Sequence, residues 1–271
     1  MNSQVPHLRW SGQSDTGRFR SNNEDSFLGL QFNSHELIRL GRFGEGSLLD
    51  SDKVFAVSDG MGGAQAGEFA SNIALEKITT LLPRAFQRTS CRLPVDFAEI
   101  FNDLFQQIHR ALVHLGQCYE ECRGMETTLS LCWFTPHLAY FAHIGDSRIY
   151  HWSAAKGKLQ QMTEDDTHVG WLLRNQKITE WEARVHPGKN VLQKALGAGN
   201  LYVTPQVGTF ALNPGDRILL CTDGLCEGLY DTALLEALLS PVGAGCGKQM
   251  VDASVAQSGR DNTTAMIIEV L

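Results

Sequence analysis

The chain has 271 residues, with 23 Lys and Arg against 30 Asp and Glu, a formal net charge of −7. Hydrophobic residues make up 43% and charged residues 20%, enough apolar material for a packed core and too much for wholesale disorder. An acidic chain with no Lys/Arg run argues against a nucleic-acid or anionic-membrane surface, because both partners demand basic clusters. The opening MNSQVPHLRW lacks the apolar stretch a signal peptide needs. The most apolar window, 129–144, is broken by Ser130, Thr135, Pro136, His137 and His143 and is too polar to cross a membrane. Cys91, Cys118, Cys122, Cys132, Cys221, Cys226 and Cys246 form no CxxC pair, and Cys132 and Cys221 lie in apolar, strand-like runs. Reduced thiols in a cytoplasmic protein are expected rather than disulfides or a zinc site.

In chain order, the first predicted strand is 25–32. The segment 33–53, with Gly41, Gly44 and Gly46, reads as an insertion loop or short hairpin. A strand over 54–57 stops at SDGMGG, and a helix over 68–82 places Phe69, Ile73, Ile78 and Leu81 near one face. After an irregular stretch at 84–94, Phe97, Phe101, Leu104, Ile108, Leu112 and Leu115 recur at helical spacing over 96–119, and Asp96 with Glu99 resembles a capping arrangement. Strands come next at 127–134, 138–144 and 148–152, joined by a Thr-Pro turn and a Gly-Asp turn. Thr179 with Glu182 offers a cap for a short helix through Val185. Strands at 203–210 and 217–222, helices at 232–239 and 248–257, and a strand at 263–270 complete the set. Strands between early and late helices suggest an α+β fold, with antiparallel sheets and helices outside. No repeat or linker divides the chain, so one domain over 1–271 is expected.

The informative pattern lies at the ends of the strands. Asp59 and Asp223 sit at the ends of apolar runs, Asp146 in a turn, Asp261 just before the last strand, and Glu24 and Asp25 before the first. One Asp-Gly is ordinarily a turn. Loops at one sheet edge can converge, however, and five or six carboxylates in one cleft would repel and raise each other's pKa. Divalent cations relieve that, and an all-oxygen donor set without Cys or His favours Mg²⁺ or Mn²⁺ over Zn²⁺. Two such ions sharing a carboxylate would activate a trapped water and clamp a phosphoryl oxygen. Arg20, four residues before Glu24, suits bidentate phosphate capture.

The segments SDTGRFRSNNEDSF, VFAVSDGMGG, ETTLSLCWF, AHIGDSRIY, KALGA, LLCTDGL and GRDNTT resemble, in order and over about residues 10–270, the motifs of metal-dependent type 2C protein serine/threonine phosphatases, the bacterial branch above all. The resemblance implies a four-layer α/β/β/α sandwich of two antiparallel sheets with a helix pair on each outer side, and metals in a cleft at one end. By motif position it makes Asp59 the bridge between two Mn²⁺ or Mg²⁺ ions and gives Asp223 and Asp261 to the first ion. It gives Glu24 and the Gly60 carbonyl to the second, Asp25 to a neighbouring water and Asp146 to a third ion. Arg20 takes the substrate phosphate, and Asn262 organises the turn beside Asp261. The implied reaction is hydrolysis of phosphoserine and phosphothreonine in proteins by a hydroxide shared between the two ions. The implied setting is a bacterial cytoplasm, as a monomer opposing a Ser/Thr kinase.

The chain departs from the family pattern in places. Met61 stands where eukaryotic members offer a His acid, so a metal-bound water is expected to protonate the leaving group. His143, His151, His168 and His186 are alternative acids. Glu126 replaces the usual Gly before the Thr-Thr pair, and Asp166 replaces a common His. Asp165 is a further candidate neighbour of the third ion. The segment 166–190 resembles the mobile flap of bacterial members, so these changes bear on specificity more than on chemistry. A small-molecule phosphomonoester hydrolase with the same centre is an alternative. A catalytically dead binding relative is another, opposed by the presence of both Asp59 and Asp261.

Overall fold

The structure is a computed structural model and describes residues 6–49, 51–63, 65–90, 96–201 and 203–271, the side chains of 83–90 and 231 excepted. In chain order come β1 (His7–Asp15), β2 (Asp25–Phe32), β3 (Leu37–Arg39), β4 (Phe43–Ser47), β5 (Asp52–Met61), α1 (Ala66–Ser90) and α2 (Phe97–Cys118). After a 3-10 turn come β6 (Glu126–Thr127), β7 (Leu129–Phe134), β8 (Leu138–Ile144), β9 (Arg148–Ser153), β10 (Lys158–Gln161), α3 (His168–Arg174) and α4 (Glu180–Val185). The chain ends with β11 (Leu196–Gly197), β12 (Gln206–Ala211), β13 (Arg217–Cys221), α5 (Asp223–Gly228), α6 (Asp231–Leu239), α7 (Cys246–Gln257) and β14 (Thr263–Val270).

The strands pair antiparallel into two sheets. One runs β10-β9-β13-β14-β1-β4, and the other runs through β5, β7, β8 and β12, with β2 and β3 on the far side of β5 and β6 with β11 at its end. The period-two rule sorts their side chains into layers. Along β5, Val54 and Ala56 face the helix core with Ile78, Phe105 and Ile108, whereas Phe55 and Val57 face the space between the sheets. Along β13, Ile218 and Leu220 meet that same inner core, while Leu219 and Cys221 face a third core under α5, α6 and α7. Because both faces of both sheets are covered, their central strands read as continuous apolar runs. This is the four-layer sandwich. One outer layer is the pair α1 and α2; the other holds three helices rather than two.

The structure departs from the sequence reading in several places. The strand β1 is unexpected, because LRWSGQSD carries Gly, Ser and Gln where an apolar run is the usual signal. The segment 33–53 is neither a free loop nor a hairpin closed on itself: β3 joins β2 and β4 joins β1, so it adds an edge to each sheet. The strand at 54–57 extends to 52–61 and carries Asp59 within it. The strand at 127–134 is interrupted at Thr128. The first helix runs on past residue 82 through Pro83 to Ser90, which takes in the start of the 84–94 stretch; residues 91–95, with Cys91, lie outside the described residues. Both caps are present. The Asp96 carboxylate accepts from the N–H groups of Ala98 and Glu99, and Thr179 and Glu182 form a reciprocal capping box.

Phe105, buried beneath α2, is the test of the helix layer. Phe105→Ala should lower unfolding free energy by about 3–5 kcal/mol, the usual cost of emptying a core aromatic site. Urea titration followed by circular dichroism measures it. A loss below about 1 kcal/mol would mean that α2 does not seal this core.

Candidate metal centre

Asp59 is held by backbone and hydroxyls. Its N–H donates to Thr128 Oγ1 (3.0 Å), and its carbonyl accepts from Thr127 Oγ1 (2.7 Å) and from the Thr128 N–H (2.9 Å). Thr128 Oγ1 also shares a hydrogen bond with Ser147 Oγ (2.8 Å), beside Asp146. The Thr-Thr pair thus ties the ends of β5 and β8 together.

Asp25 begins β2 directly opposite Asp59 in the ladder, an unfavourable place for two like charges. It is only 6% exposed. Its Oδ2 accepts from Thr222 Oγ1 (2.8 Å) and Thr264 Oγ1 (2.7 Å). Those threonines belong to the β13 end and to β14, so this carboxylate bonds one sheet to the other. Thr222 Oγ1 in turn accepts from the Thr264 N–H (3.0 Å), and Thr264 Oγ1 meets Ser14 Oγ at 2.7 Å.

Asn262 joins the remaining loops. Its Oδ1 accepts from the Glu24 N–H (2.8 Å), and its Nδ2 donates to the carbonyls of Thr16 and Asn22 (both 2.9 Å). It organises the turn, in keeping with its place beside Asp261. Asp261 accepts from the Asn262 N–H at Oδ1 (2.9 Å) and from Arg20 Nη2 at Oδ2 (2.6 Å). Arg20 is therefore engaged with an expected cation ligand. Gly60 crosses α1 at Gly67 so closely that a Cβ at Gly60 would collide with the Gly67 carbonyl, and one at Gly67 with the Glu24 carboxylate. The crossing puts Glu24 and the Gly60 carbonyl side by side.

Asp146 lies in the turn after β8 and is 8% exposed. Gly145, at φ 111°, takes a backbone that side chains avoid and packs on Thr128. His143 is buried, accepts from Ser130 Oγ at Nδ1 (2.8 Å) and donates from Nε2 to the Gly145 carbonyl (3.0 Å); burial lowers its pKa. It braces the Asp146 turn as a neutral imidazole. His151 meets Asp216 at 3.1 Å, His168 stacks on Trp171, and His186 Nδ1 accepts from the Gly188 N–H.

Burial and neighbouring charge act on several of these carboxylates together. Burial raises Asp59 well above its ordinary pKa, and the charges of Asp25, Asp223, Asp146 and Asp261 raise it further. Asp146 is raised by burial and by Asp223. Glu24 is raised by burial, and Asp261 adds to this, while Arg20 opposes it. Among the described residues, no three His, Cys, Asp or Glu side chains stand close enough to hold a metal ion as they are. Two buried oxygens, Asp25 Oδ1 and Asp223 Oδ1, have no hydrogen-bond partner, which is rare and costly. Orphaned carboxylate oxygens in an all-oxygen set are what a hard divalent cation satisfies, so the residues fit the group.

A cleft of about 730 Å³ opens beside Asp146 and Asp223, and the 166–190 segment forms one wall through Val169, Trp181 and Lys189. Glu24, Asp59 and Asp261 lie outside its lining. The far wall is α5 and its sequel; Lys189 pairs with Glu227, and Arg184 lies 4.5 Å over the Tyr230 ring. Asp166 ties the wall to the cluster: its carboxylate accepts from the Gly145 N–H (3.2 Å) and pairs with Lys194 (2.9 Å). Asp165 is gripped by Arg148, at 2.7 Å from Nη2. Met61 and Glu126, two departures from the family pattern, are cross-strand partners. Burial raises the Glu126 pKa, and a hydrogen bond to Asn200 opposes it.

Sequence reasoning missed Thr222, Thr264, Ser147 and the bracing roles of Thr127 and Thr128. Their positions beside the aspartates in TDG, DNTT, GDS and TT were the available signal.

Two antiparallel sheets between helix layers, with carboxylates gathered at one end, define a four-layer α+β sandwich, and similarity to known proteins places it. Residues 44–258 match the protein phosphatase 2C family, and the chain belongs to that family. It is 30% identical to the serine/threonine protein phosphatase PstP of Mycobacterium tuberculosis, over 97% of this chain and 45% of that protein. The chain thus spans under half the length of that relative. It is also 30% identical to the serine/threonine phosphatase stp of Listeria monocytogenes, covering 95% of this chain and 94% of that one. Among solved structures, the catalytic domain of PstP in complex with two manganese ions superposes with a TM-score of 0.77 at 29% identity, covering 98% of this chain and 99% of that one. The phosphatase Stp1 of Staphylococcus aureus gives 0.79 at 25% identity, covering 97% and 95%.

Burial and neighbouring charge push Asp25 and Asp223 up to about 7. In an unfolded chain the ordinary value is about 4. The metal-free folded state therefore binds more protons than the unfolded state between about pH 4 and 7, and this contribution to stability is lost as pH rises through that window. Chelator-treated protein should melt at a lower temperature at about pH 8 than at about pH 6, and saturating Mg²⁺ or Mn²⁺ should remove or invert that order. Identical pH dependence with and without cation, read by calorimetry, would show that these carboxylates are not the ion site.

Proposed function

We propose that the chain is a single-domain, metal-dependent protein phosphatase that hydrolyses phosphoserine and phosphothreonine esters in proteins. The observation that carries this reading is the pair of buried, unpartnered oxygens on Asp25 and Asp223 within a carboxylate cluster beside Arg20. Family membership and the names of the relatives support it. Asp59, Asp223, Asp261, Glu24 and the Gly60 carbonyl would hold two Mn²⁺ or Mg²⁺ ions, and Asp146 a third. Asp25 would hold a neighbouring water. Such ions supply positive charge that makes water nucleophilic and takes up charge on the phosphoryl oxygens.

The chain's own residues do the rest. Arg20, half exposed, exchanges Asp261 for the substrate phosphate, which its planar fork grips in two places. Asp25 keeps Oδ2 on Thr222 and Thr264 and has Oδ1 free to orient a water. The leaving serine or threonine oxygen takes its proton from water in the cluster. Met61 has none to give, and His143 and His151 are committed to Gly145 and Asp216. The cleft at Asp146 and Asp223 receives the polypeptide around the phosphorylated residue, walled by the 166–190 segment. A cytoplasmic monomer opposing a Ser/Thr kinase is the setting that fits this chemistry. No helix among the described residues is long and apolar enough to cross a membrane.

Turnover of a phosphopeptide, with and without Mn²⁺, against p-nitrophenyl phosphate and nucleotides tests the reading. Exclusive turnover of the small esters would replace it with a small-molecule hydrolase; no cation-stimulated turnover at all would leave a binding relative. Asp59→Asn should lower kcat by on the order of 100-fold or more, the scale of losing one electrostatic group at a reacting centre, and weaken cation binding by titration calorimetry. Arg20→Ala should raise the phosphopeptide KM about tenfold, equivalent to about 1.4 kcal/mol. The same variant should bind cations no more weakly than the parent, because Asp261 is released. An unchanged KM would remove Arg20 from the phosphate site.

A further inference from the structure

Two thiols beside the carboxylate cluster take no part in phosphate chemistry. Cys221 ends β13 and is buried, whereas Cys226 in α5 lines the cleft with Arg148, Asp165 and Asp223. Their sulfurs are 3.7 Å apart, and Asp223 lies between them in the chain. The Tyr150 hydroxyl is 3.7 Å from Cys226 Sγ. That hydroxyl oxygen accepts from Arg148 Nη1 at 3.0 Å, so its own proton is available to the sulfur. Cys226 therefore has the Tyr150 O–H as a donor, with a guanidinium behind it, and the Cys221 thiol within reach. Such surroundings favour the thiolate, and a cleft position gives solutes access to it. Neither cysteine is in a disulfide.

We propose that Cys226 and Cys221 are a peroxide-oxidisable pair, Cys226 meeting the oxidant from the cleft and Cys221 closing a disulfide that displaces Asp223. The Cys226 thiolate attacks one oxygen of a hydroperoxide and breaks the O–O bond. Sulfur is oxidised to the sulfenic acid, and the peroxide is reduced by two electrons and leaves as hydroxide or alkoxide. Cys221 sulfur then attacks the Cys226 sulfur; the hydroxyl departs with the Cys221 proton as water. A dithiol reductant restores both thiols by two exchange steps. Closing the sulfurs to about 2 Å draws the first turn of α5 onto the end of β13. Asp223 and Thr222, which holds Asp25, lie inside the loop that this bond closes. The effect on turnover rests on the phosphatase reading; bond formation does not.

The test uses the full chain with Mn²⁺ and sub-millimolar hydrogen peroxide. Peptide mass spectrometry should find Cys221 linked to Cys226 with the loss of two hydrogens. Phosphopeptide turnover should fall by about tenfold or more, since ångström displacements of a positioned group cost up to about 100-fold. Dithiothreitol should reverse both changes. Cys221→Ser should leave a sulfenic acid at Cys226 that dimedone traps. Cys226→Ser should resist peroxide, keeping after treatment the turnover it had before. Absence of both the linked peptide and the dimedone adduct would overturn the proposal, as would equal inactivation of Cys226→Ser or a linked protein of unchanged turnover. Mass spectrometry reads the bond even if no phosphopeptide is hydrolysed, so failure of this proposal and failure of the phosphatase reading are separable.

Discussion

Like charges packed at the end of two sheets set the terms for everything else in this molecule. Asp25 and Asp59 face one another across a ladder, and Asp223, Asp146 and Asp261 add to the same field. Left alone, such a cluster pushes its members apart and resists burial. The fold accepts it because Asp25 is also the hydrogen-bonded link between sheets, through Thr222 and Thr264. The residue that strains the site is thus one that aligns the two halves of the sandwich. Replacing it would relieve the charge and loosen the alignment together, so its two roles cannot be varied independently.

Hydroxyls carry most of the precision. Ser58, Thr127, Thr128 and Ser147 form one connected set that fixes the backbone of Asp59 and reaches the Asp146 turn. These side chains are small and β-branched or nearly so, and they sit in strands without cost. Each hydroxyl can accept and donate at once, which lets one residue brace two strands. A carboxylate in those positions would add to the repulsion or crowd the ladder. The backbone around Asp59 is therefore held by neutral groups, and the charge is left to the carboxylates they position.

The layers and the cluster were legible in the sequence to different depths. Short, nearly continuous apolar runs, bounded by Gly, Asp and Pro, marked β5, β7, β8, β13 and β14, because those strands are buried on both faces. The polar β1 was not legible: its Gly and Ser positions are explained only by close packing against Phe27, Met266 and α7. The 33–53 segment looked like an insertion because short edge strands carry little apolar signal. The aspartates stood out by position, but their convergence needed the sheet order, which spacing alone does not contain. The family resemblance supplied that order. It did not supply the threonines that link Asp25, nor the pairing of Arg20 with Asp261.

That pairing makes Arg20 a placeholder for positive charge. Its guanidinium is drawn upward in pKa chiefly by the hydrogen bond to Asp261, with Glu24 and Asp59 contributing. A cation held at Asp261, as proposed above, would compete with Arg20 for the same oxygen and would release the guanidinium beside a new positive centre. A phosphate ester is the kind of anion that would suit the released arginine and the cation together. On that reading cation binding and substrate capture would be coupled by one exchangeable ion pair, and the coupling would be reciprocal: an anion that holds Arg20 away from Asp261 would favour cation binding by the same factor.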